Sequence, residues 1–368
     1  MGSPLDQARD VRDQLKTWLL EHAYPLWASA GRDPDGGFFE KIDQAGRPVE
    51  APRRIRVAAR QAYAYALARE LGWQGDWRAV VEHGLAAMQR YRRADGSYGI
   101  LMSPGGEVLD DEPAPYEQAF VMLALSAAQQ ALGRSLEAEA AGVREALIAR
   151  LWRPDGGFYE TVPHAAPLRA NPHMHLLESV LAWVEVGEDA GWLKMAAGIA
   201  ETALARMIDP GTGALCELYD DGWAPLPDAD VEPGHQFEWG WLLIKYARLA
   251  DRPAARDAGL RLIEVARSHG VDGRGVAFNA LDQNLRPRDL TARLWPQTER
   301  LKAAVAASDW EAAALAGRGL WKYLETDVPG LWRDRMNPDG SFIEEPAPAS
   351  SFYHIVGAIL DLDAALNQ

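Results

Sequence analysis

The chain has 368 residues, of which 48% are hydrophobic and 25% charged, a balance typical of a globular protein with a large core. Its formal net charge of −15, carried by interspersed acidic and basic residues, argues against nucleic acid and anionic membrane surfaces as partners. One cysteine, Cys216, excludes an internal disulfide and a cysteine-rich metal site, and the short apolar runs argue against a membrane-spanning helix.

A turn rich in proline, aspartate and glycine recurs roughly every 60 residues along the chain. Such clusters supply left-handed backbone positions and tight turns. A fixed period with degenerate sequence is typical of repeated supersecondary units. Strand signals are weak and limited to short segments around these turns. The six turns lie at 33–40, 95–98, 154–160, 209–215, 272–275 and 338–342.

A proline precedes each of six long helical stretches, and proline is tolerated at a helix start because its missing N–H would have no partner there. These stretches include 114–132, 172–186 and 234–250, the last of them apolar nearly all round. Amphipathic helices lie between them, such as 253–269. Each repeat therefore pairs an outer helix with an inner one. Six pairs closed in a ring predict an all-α fold, an (α/α)6 barrel that forms one domain over residues 1–368. The prolines are Pro52, Pro115, Pro172, Pro233, Pro296 and Pro348.

The inner helices of such a ring run in the same direction, so their N-termini meet at one mouth. Residues in the first turns after each proline are therefore predicted to face a common cavity. Four of the eight histidines of the chain fall in these windows, which favours a function there. The predicted rim residues are Arg53, Arg54, Arg56, Arg60, Tyr116, Glu117, His173, His175, His235, Glu238, Gln297, Glu299 and His354.

The first of these windows is rich in arginine. Arg53, Arg54 and Arg56 fit a solvated basic cluster as well as they fit a binding function. Arg60 lies within the helical run 57–68, where a polar or catalytic purpose is the better interpretation.

The histidine windows suggest acid–base chemistry. The positive end of a helix dipole disfavours protonation of a nearby imidazole, and a neutral histidine can accept and return a proton near pH 7. Glu178 and Glu238 follow His175 and His235 by three residues and can share a helix face with them, orienting each ring or raising its basicity. The sequence leaves open whether the helix dipole or the nearby glutamate decides the charge of each ring. His173 lies about 200° round the helix from His175 and is interpreted as structural.

Four motifs, taken together and in order, resemble those of the N-acylglucosamine 2-epimerase family, and the likeness covers nearly the whole chain. That family includes cellobiose 2-epimerases, mannose isomerases and sulfoquinovose isomerases. The motifs are Asn171-Pro-His-Met-His175-Leu-Leu-Glu178, Val231-Glu-Pro-Gly-His235-Gln-Phe-Glu238-Trp, Arg293-Leu-Trp-Pro-Gln-Thr-Glu299 and Ser350-Ser-Phe-Tyr-His354.

The resemblance implies an (α/α)6-barrel enzyme that needs no metal or cofactor and acts on C1 and C2 of an aldose. His354 matches the histidine that removes the C2 proton, and His235 matches a second acid–base histidine, supported by Glu238. One departure is Glu117-Gln118, where many members carry an Asp-His pair. The positions that match substrate-contacting residues are His175, which we group with the catalytic residues, and Arg60, Tyr116, Asn171, Trp295 and Glu299.

The wording of the motifs is most similar to that of the mannose isomerases, which implies interconversion of D-mannose and D-fructose through an enediolate. A sugar 2-epimerase is the alternative, because return of the proton to the other face of C2 uses the same residues. We expect a monosaccharide substrate, a monomer or homodimer, and, since the sequence opens without a secretory signal pattern, a cytoplasmic location.

Three further interpretations stay open. A glycoside hydrolase needs two carboxylates across the scissile bond, for which Glu238 and Glu299 are the candidates. A metalloenzyme is suggested by the two His-x-x-Glu pairs, although bundle di-metal sites use the reverse order. A helical-repeat binding scaffold leaves the rim histidines unexplained.

Overall fold

The structure is a computed structural model that describes residues 2–367. It is mostly helical, and a π-helical turn at Leu19–Ala23 joins its first two helices into one continuous rod. The helices are α1 (Pro4–Trp18), α2 (Tyr24–Ser29), α3 (Ile55–Leu71), α4 (Trp77–Gln89), α5 (Pro115–Leu132), α6 (Glu137–Leu151), α7 (Ala170–Val186), α8 (Gly191–Thr202), α9 (Pro233–Ala250), α10 (Pro253–His269), α11 (Trp295–Ala306), α12 (Trp310–Leu324) and α13 (Phe352–Leu366).

The helices form two concentric rings. Helices α3, α5, α7, α9, α11 and α13 each pack against the next, and α13 packs against α3, which closes the inner ring. The remaining helices pack on the outside, where α1 meets α12. The predicted (α/α)6 barrel is confirmed. Among the residues described, no helix is both long and apolar enough to cross a membrane.

Burial separates the two rings as the sequence pattern predicts. Helix α5 is buried on nearly every side, because it packs against two inner neighbours and the outer helices. Helix α10 begins and ends at the predicted residues and buries one face, which includes Ala255, Leu262 and Ala266. Arg256 and Arg261 lie on its exposed face. The hydrophobic effect therefore fixes which helix of each pair is inner.

The long loops carry short strands, all paired antiparallel, in the orders β12-β1-β2, β3-β4-β5, β6-β7, β8-β9 and β10-β11. The strands are β1 (Lys41–Ile42), β2 (Pro48–Val49), β3 (Arg53–Arg54), β4 (Leu101–Met102), β5 (Val108–Asp110), β6 (Leu168–Arg169), β7 (Leu218–Tyr219), β8 (Ala280–Leu281), β9 (Pro287–Asp289), β10 (Ala292–Arg293), β11 (Arg335–Met336) and β12 (Ala347–Pro348). Each of the six recurring turns is closed by a single antiparallel bridge, for example Arg32 with Phe38 and Trp152 with Phe158.

A side chain in the first turn of four inner helices ties that helix to the preceding turn. The amide of Gln118 accepts a hydrogen bond from the backbone N–H of Tyr98 (3.0 Å) and donates one to its carbonyl (2.8 Å). Gln236 and Gln297 repeat this pattern in α9 and α11. In α7 the position belongs to His173, whose Nε2 accepts from a backbone N–H at 2.8 Å. The ring of His173 therefore anchors a loop, as its structural interpretation requires.

The barrel has two different mouths. At one, the long loops deliver the N-termini of the inner helices. At the other, short loops such as 72–76 join inner to outer helices, and a cavity of about 890 Å³ is lined by the C-terminal halves of the inner helices. Trp241, Lys245 and Asp361 lie at this second mouth.

Candidate active site

A small cavity of about 150 Å³ lies where the six inner helices begin, and every inner helix or the loop leading into it contributes to its lining. It opens into an outer cavity of about 550 Å³ that shares Tyr116, Asn171, Glu232 and His235 with it. The inner cavity is lined by Arg60, Tyr116, Asn171, His175, Glu232, His235, Glu238, Arg293, Trp295, Ser350, Ser351 and His354.

The structure thus brings together eight of the nine side chains selected from the sequence as catalytic or substrate-contacting; their roles in catalysis stay predictions. The ninth, Glu299, is fully buried behind His354 and does not line the cavity. One of its carboxylate oxygens lies 2.8 Å from Nδ1 of His354, and the other lies 2.9 Å from the ammonium of Lys302. Its position is that of a group that orients the histidine.

His354 is neutral in these surroundings. Burial lowers its pKa to about 3. Glu299 acts to raise this pKa, and the positive charges of Arg60 and Lys302 offset part of that effect. Burial works against ionisation of Glu299, but Lys302 and His354 lower its pKa to about 2. An ionised carboxylate accepts only, so we infer that Nδ1 of His354 carries the hydrogen and that Nε2 keeps its lone pair. His354 therefore has the form that a general base requires.

His235 lies in the opposite electrostatic environment. Its Nδ1 is 2.9 Å from a carboxylate oxygen of Glu217 and 3.6 Å from one of Glu232. Burial lowers the pKa of His235, but these two carboxylates outweigh burial and raise it to about 10. The carboxylates, rather than the helix dipole, decide the charge of this ring, so His235 is an imidazolium at neutral pH. The predicted pairing with Glu238 is absent, because Glu217 takes that place.

His175 is the third imidazole of the cavity. Its Nδ1 is 3.1 Å from Glu178, the predicted partner three residues on, and 3.6 Å from Glu238. Burial lowers its pKa to about 4 despite the opposing effect of Glu178. An edge contact with the ring of Tyr116 and a tilted contact with that of Phe120, at 5.2 and 4.7 Å between centroids, hold its plane.

The surroundings of Glu238 disfavour ionisation of its carboxyl group. Burial, followed by the charges of Glu299 and Glu178, raises its pKa well above the ordinary value. Neither of its oxygens has a hydrogen-bond partner within residues 2–367. Glu238 lines the cavity, so these atoms are available to a ligand hydroxyl or carbonyl.

Arg60 places a fixed positive charge beside the three imidazoles. Its guanidinium donates to the hydroxyl of Tyr116 at 2.8 Å and to the carbonyl of Ser350 at 3.0 Å. It stacks over the rings of Phe120 (3.9 Å) and Tyr353 (4.6 Å). These contacts hold the fork rigid, which suits stabilisation of an oxyanion.

Two more lining residues complete the polar and aromatic surface. The ring of Trp295 lies 4.8 Å from that of His235 and 5.9 Å from that of His354, so it contacts the imidazoles on both sides of the cavity. The side-chain oxygen of Asn171 is buried without a hydrogen-bond partner in the part of the chain that the structure describes. A flat ring beside unpaired polar atoms is suited to a sugar.

The three arginines at the start of the rim, for which two interpretations were open, form ion pairs outside the inner cavity. Arg53 pairs with Asp33 at 2.9 Å, and Arg56 pairs with Glu117. Arg54 pairs with Glu40, which also accepts from its backbone N–H at 2.7 Å.

Sequence reasoning missed the two carboxylates beside His235, and also Lys302. Glu217 lies two residues after Leu215, the residue that forms the β-bridge of its turn. Glu40 and Glu160 stand at the equivalent position of their own turns, two residues after Phe38 and Phe158. The recurrence of a carboxylate at that position was a usable signal, because every turn leads toward the same mouth.

Three groups of histidine and glutamate side chains are close enough to one another to hold a cation, with ligand atoms within 4.8 Å: His175, Glu178 and Glu238; Glu217, Glu232 and His235; and Glu238, Glu299 and His354. Within the third, the ammonium of Lys302 already supplies the positive charge next to Glu299. In the second, the imidazolium of His235 does so for Glu217 and Glu232. We therefore describe His235 with its two carboxylates, and Lys302 with Glu299, as ion pairs. In the first cluster burial lowers the pKa of His175 to about 4, so that ring is uncharged at neutral pH.

Known proteins share both the sequence and the fold. The family model of N-acylglucosamine 2-epimerase (GlcNAc 2-epimerase) matches residues 37–358. The chain is 43% identical to a mannose-6-phosphate isomerase of Rhizobium meliloti (strain 1021), over 96% of this chain and 97% of the relative. It is 28% identical to a D-mannose isomerase of Pseudomonas cannabina pv. alisalensis, over 94% of both chains. A solved D-mannose isomerase structure superposes with a TM-score of 0.86 at 19% identity, covering 95% of this chain and 97% of the other.

Proposed function

This chain belongs to the N-acylglucosamine 2-epimerase family of sugar isomerases and epimerases, and on that premise we propose that it interconverts D-mannose and D-fructose. The observation that carries the proposal is the pair of imidazoles in one small cavity, with His354 neutral and His235 charged. Two titratable groups whose surroundings push their pKa values apart are suited to act as base and acid.

In the proposed reaction, His354 removes the proton from C2 of the open-chain aldose and returns it to C1. The carbonyl oxygen O1 gains a proton while the hydroxyl O2 loses one, so that atoms balance and the product is the ketose. Arg60 stabilises the enediolate between these two steps, a preorganised contribution of about 3 kcal/mol for a well-placed donor. His235 donates its proton to O1, and the neutral imidazole that results accepts the proton that O2 loses, which returns His235 to its starting form. The same group donates to the ring oxygen when the closed sugar opens.

The test uses mannose deuterated at C2, with the products separated by chromatography and the label located by NMR. The proposal expects fructose, with deuterium carried to C1 or lost to solvent. Glucose as the first product would identify a 2-epimerase. Turnover of neither mannose, glucose nor lyxose would contradict the assignment of the reaction to these sugars.

A phosphorylated sugar is the second candidate, since one relative is named a mannose-6-phosphate isomerase. Arg293 favours it, because this residue lines the cavity, is exposed, and forms no ion pair within residues 2–367. The outer cavity argues against it. Around Arg56 and Arg169 it gathers five acidic side chains, which repel a phosphate dianion when they are ionised. Burial raises the pKa of two of them, Glu160 and Glu232, to about 7, and this repulsion grows with pH. The five side chains are Glu160, Glu217, Asp228, Asp230 and Glu232.

A comparison of kcat/KM for mannose and mannose-6-phosphate separates the two substrates. We expect the free sugar to be preferred. If the phosphate ester is preferred, Arg293→Gln lowers kcat/KM for the ester by about tenfold or more and changes that for mannose little, since a charged hydrogen bond contributes about 1.5–3 kcal/mol.

A further inference from the structure

Lys302 is a buried lysine whose ammonium lies between the two mouths of the barrel. Its side chain is 3% exposed, and its Nζ is 2.9 Å from Glu299 and 3.9 Å from Glu178. The same atom lies 3.5 Å from the centroid of the Trp241 ring. Burying a lysine is costly unless the charge is needed by its neighbours, so this position calls for a physical reason.

The neighbours form a chain of three groups that ends in the active site. Lys302 lies one helical turn after Glu299 on α11, and the carboxylate of Glu299 connects the ammonium of Lys302 to the imidazole of His354 on α13. Each link is at hydrogen-bonding distance, 2.9 Å and 2.8 Å. Lys302 does not line the cavity, so any effect on the reaction passes through Glu299.

Resting on the proposed function, we propose that Lys302 is a positioning residue. Its ammonium keeps Glu299 ionised, so that Nδ1 of His354 carries the hydrogen, and it offsets the attraction of that carboxylate for a second proton, so that Nε2 stays free to act as the base. The carboxylate accepts the Nδ1 hydrogen of His354 and fixes its tautomer. The ammonium balances the charge of that carboxylate, which would otherwise draw a proton onto the pair.

Ionisable groups on five of the six inner helices bear on the balance. Lys302 keeps its own proton because Glu299, Glu178, Glu238 and Asp361 raise its pKa against the effect of burial. The ionisable groups that face Lys302 or His354 are Arg60 and Tyr63 on α3, His175 and Glu178 on α7, Glu238 on α9, Glu299 on α11, and Tyr353 and Asp361 on α13.

Removal of the ammonium leaves an unpaired buried carboxylate. The His354–Glu299 pair then binds one more proton in mildly acidic solution, on the imidazole or on the carboxylate, and both forms lack the base. The competent form returns only when that proton leaves, at higher pH. A removed opposite charge at this distance shifts such an equilibrium by about one to three pH units.

The experiment measures kcat/KM against pH for the wild type, Lys302→Met and Lys302→Arg, with whichever sugar the wild type converts. In Lys302→Met the acidic limb of the kcat/KM profile, where the activity falls on acidification, moves to higher pH by about one pH unit or more. The limb then lies at about pH 4 to 6, so activity at pH 5 falls by up to about tenfold and recovers by about pH 7 to 8. Lys302→Arg restores the limb. Lys245→Met is the matched control, because Lys245 is a lysine at the second mouth that pairs with Glu185 instead. An equal loss at every pH, with the limb in place, overturns the proposal.

A double variant covers the case in which Lys302→Met does not fold. Glu299→Gln combined with Lys302→Met leaves no unpaired charge at the pair. If Lys302 acts through Glu299, this double variant and Glu299→Gln alone have the same acidic limb. A limb that differs between them shows that Lys302 acts by another route, which overturns the proposal.

Nitrogen NMR of the histidine rings gives a readout that needs no substrate. In the wild type, the ring identified by its loss in His354→Gln keeps one neutral tautomer from pH 5 to pH 9. In Lys302→Met it changes charge or tautomer within that range. A wild type that converts no aldose but shows this contrast would refute the proposed function and leave the proposal for Lys302 standing, whereas an unchanged ring in Lys302→Met would refute the latter alone.

Discussion

The two walls of the small cavity carry imidazoles of opposite charge. On the first, His354 faces a carboxylate that a lysine already neutralises, and burial keeps the ring uncharged. On the second, His235 faces Glu217 and Glu232, and no lysine or arginine within residues 2–367 forms an ion pair with either carboxylate. The difference shows that the charge of a buried histidine is set by what lies behind its carboxylate as well as by the carboxylate itself.

The two walls are also built from different parts of the fold. The first wall is formed by the N-terminal turns of inner helices α11 and α13 and lies deep in the barrel. Glu217 comes from the loop just before β7, and Glu232 is the residue before α9. The base therefore rests on the rigid ring of helices, and the acid is adjusted by the loops. This division predicts that substitutions on the first wall affect the base and the acidic limb of the pH profile, and that loop substitutions affect the basic limb.

Loss of the base is the sharpest test of the first wall. We expect His354→Gln to lower kcat by about 10³-fold, because a positioned general base contributes about 10² to 10⁴-fold. Exchange of the C2 hydrogen, followed by proton NMR, falls with it. His83→Gln is the control, since His83 bonds the backbone of Gly37 away from the cavity. Near-normal exchange in His354→Gln would remove His354 from the base role.

The second wall is tested by Glu217→Gln, which removes the nearer carboxylate from His235. The pKa of His235 then falls from about 10, so the basic limb of kcat/KM moves to lower pH by about one to three units. Activity at pH 9 drops by about twofold for a displacement of one unit and about a hundredfold for three, and activity at pH 6 changes much less. Glu299→Gln is the matched comparison and leaves the basic limb in place. The same shift in both variants would show that the two walls are not electrically separate.

How far the sequence predicts this site depends on the scale of the interaction. The barrel followed from periodic turns and prolines, because hydrophobic burial acts on whole helices. The convergence of His175, His235 and His354 followed from the shared direction of the inner helices. The partner of His235 did not, since sequence spacing favours a residue three positions on, whereas Glu217 reaches the ring from a separate loop. The charge of each ring depends on distances of 3 to 4 Å that no linear pattern specifies.

Stability against pH separates the walls with a smaller effect. The pKa of His235 is raised above 6.5 to about 10, so its ion pairs stabilise the fold fully below pH 6.5 and lose this effect as the pH rises through 10. The pKa of Glu299 is depressed below 4.5 to about 2, so its contribution is present above pH 4.5 and is lost as the pH falls through 2.

Thermal unfolding of the two glutamine variants measures that separation. The melting temperature of Glu217→Gln should lie below that of the wild type at pH 6, and the gap should close toward pH 10. The gap for Glu299→Gln should stay constant over the same range. Each gap corresponds to a difference in the free energy of unfolding on the order of 1 kcal/mol, about the effect of one pKa unit. A gap for Glu217→Gln that widens with pH would contradict the charge assigned to His235.

The smallest expected effect belongs to Trp295, the ring that contacts both walls. If it stacks on the sugar face, Trp295→Phe loses part of that contact and raises KM about threefold, within the roughly 0.5–1.5 kcal/mol that aromatic contacts contribute, while kcat changes little. Both pH limbs stay in place, because the ring carries no charge. Trp321→Phe on outer helix α12 is the control, and steady-state kinetics against pH is the measurement. A large fall in kcat with KM unchanged would instead mean that Trp295 orients the imidazoles, and the two walls would then have to be treated as one unit joined by this ring.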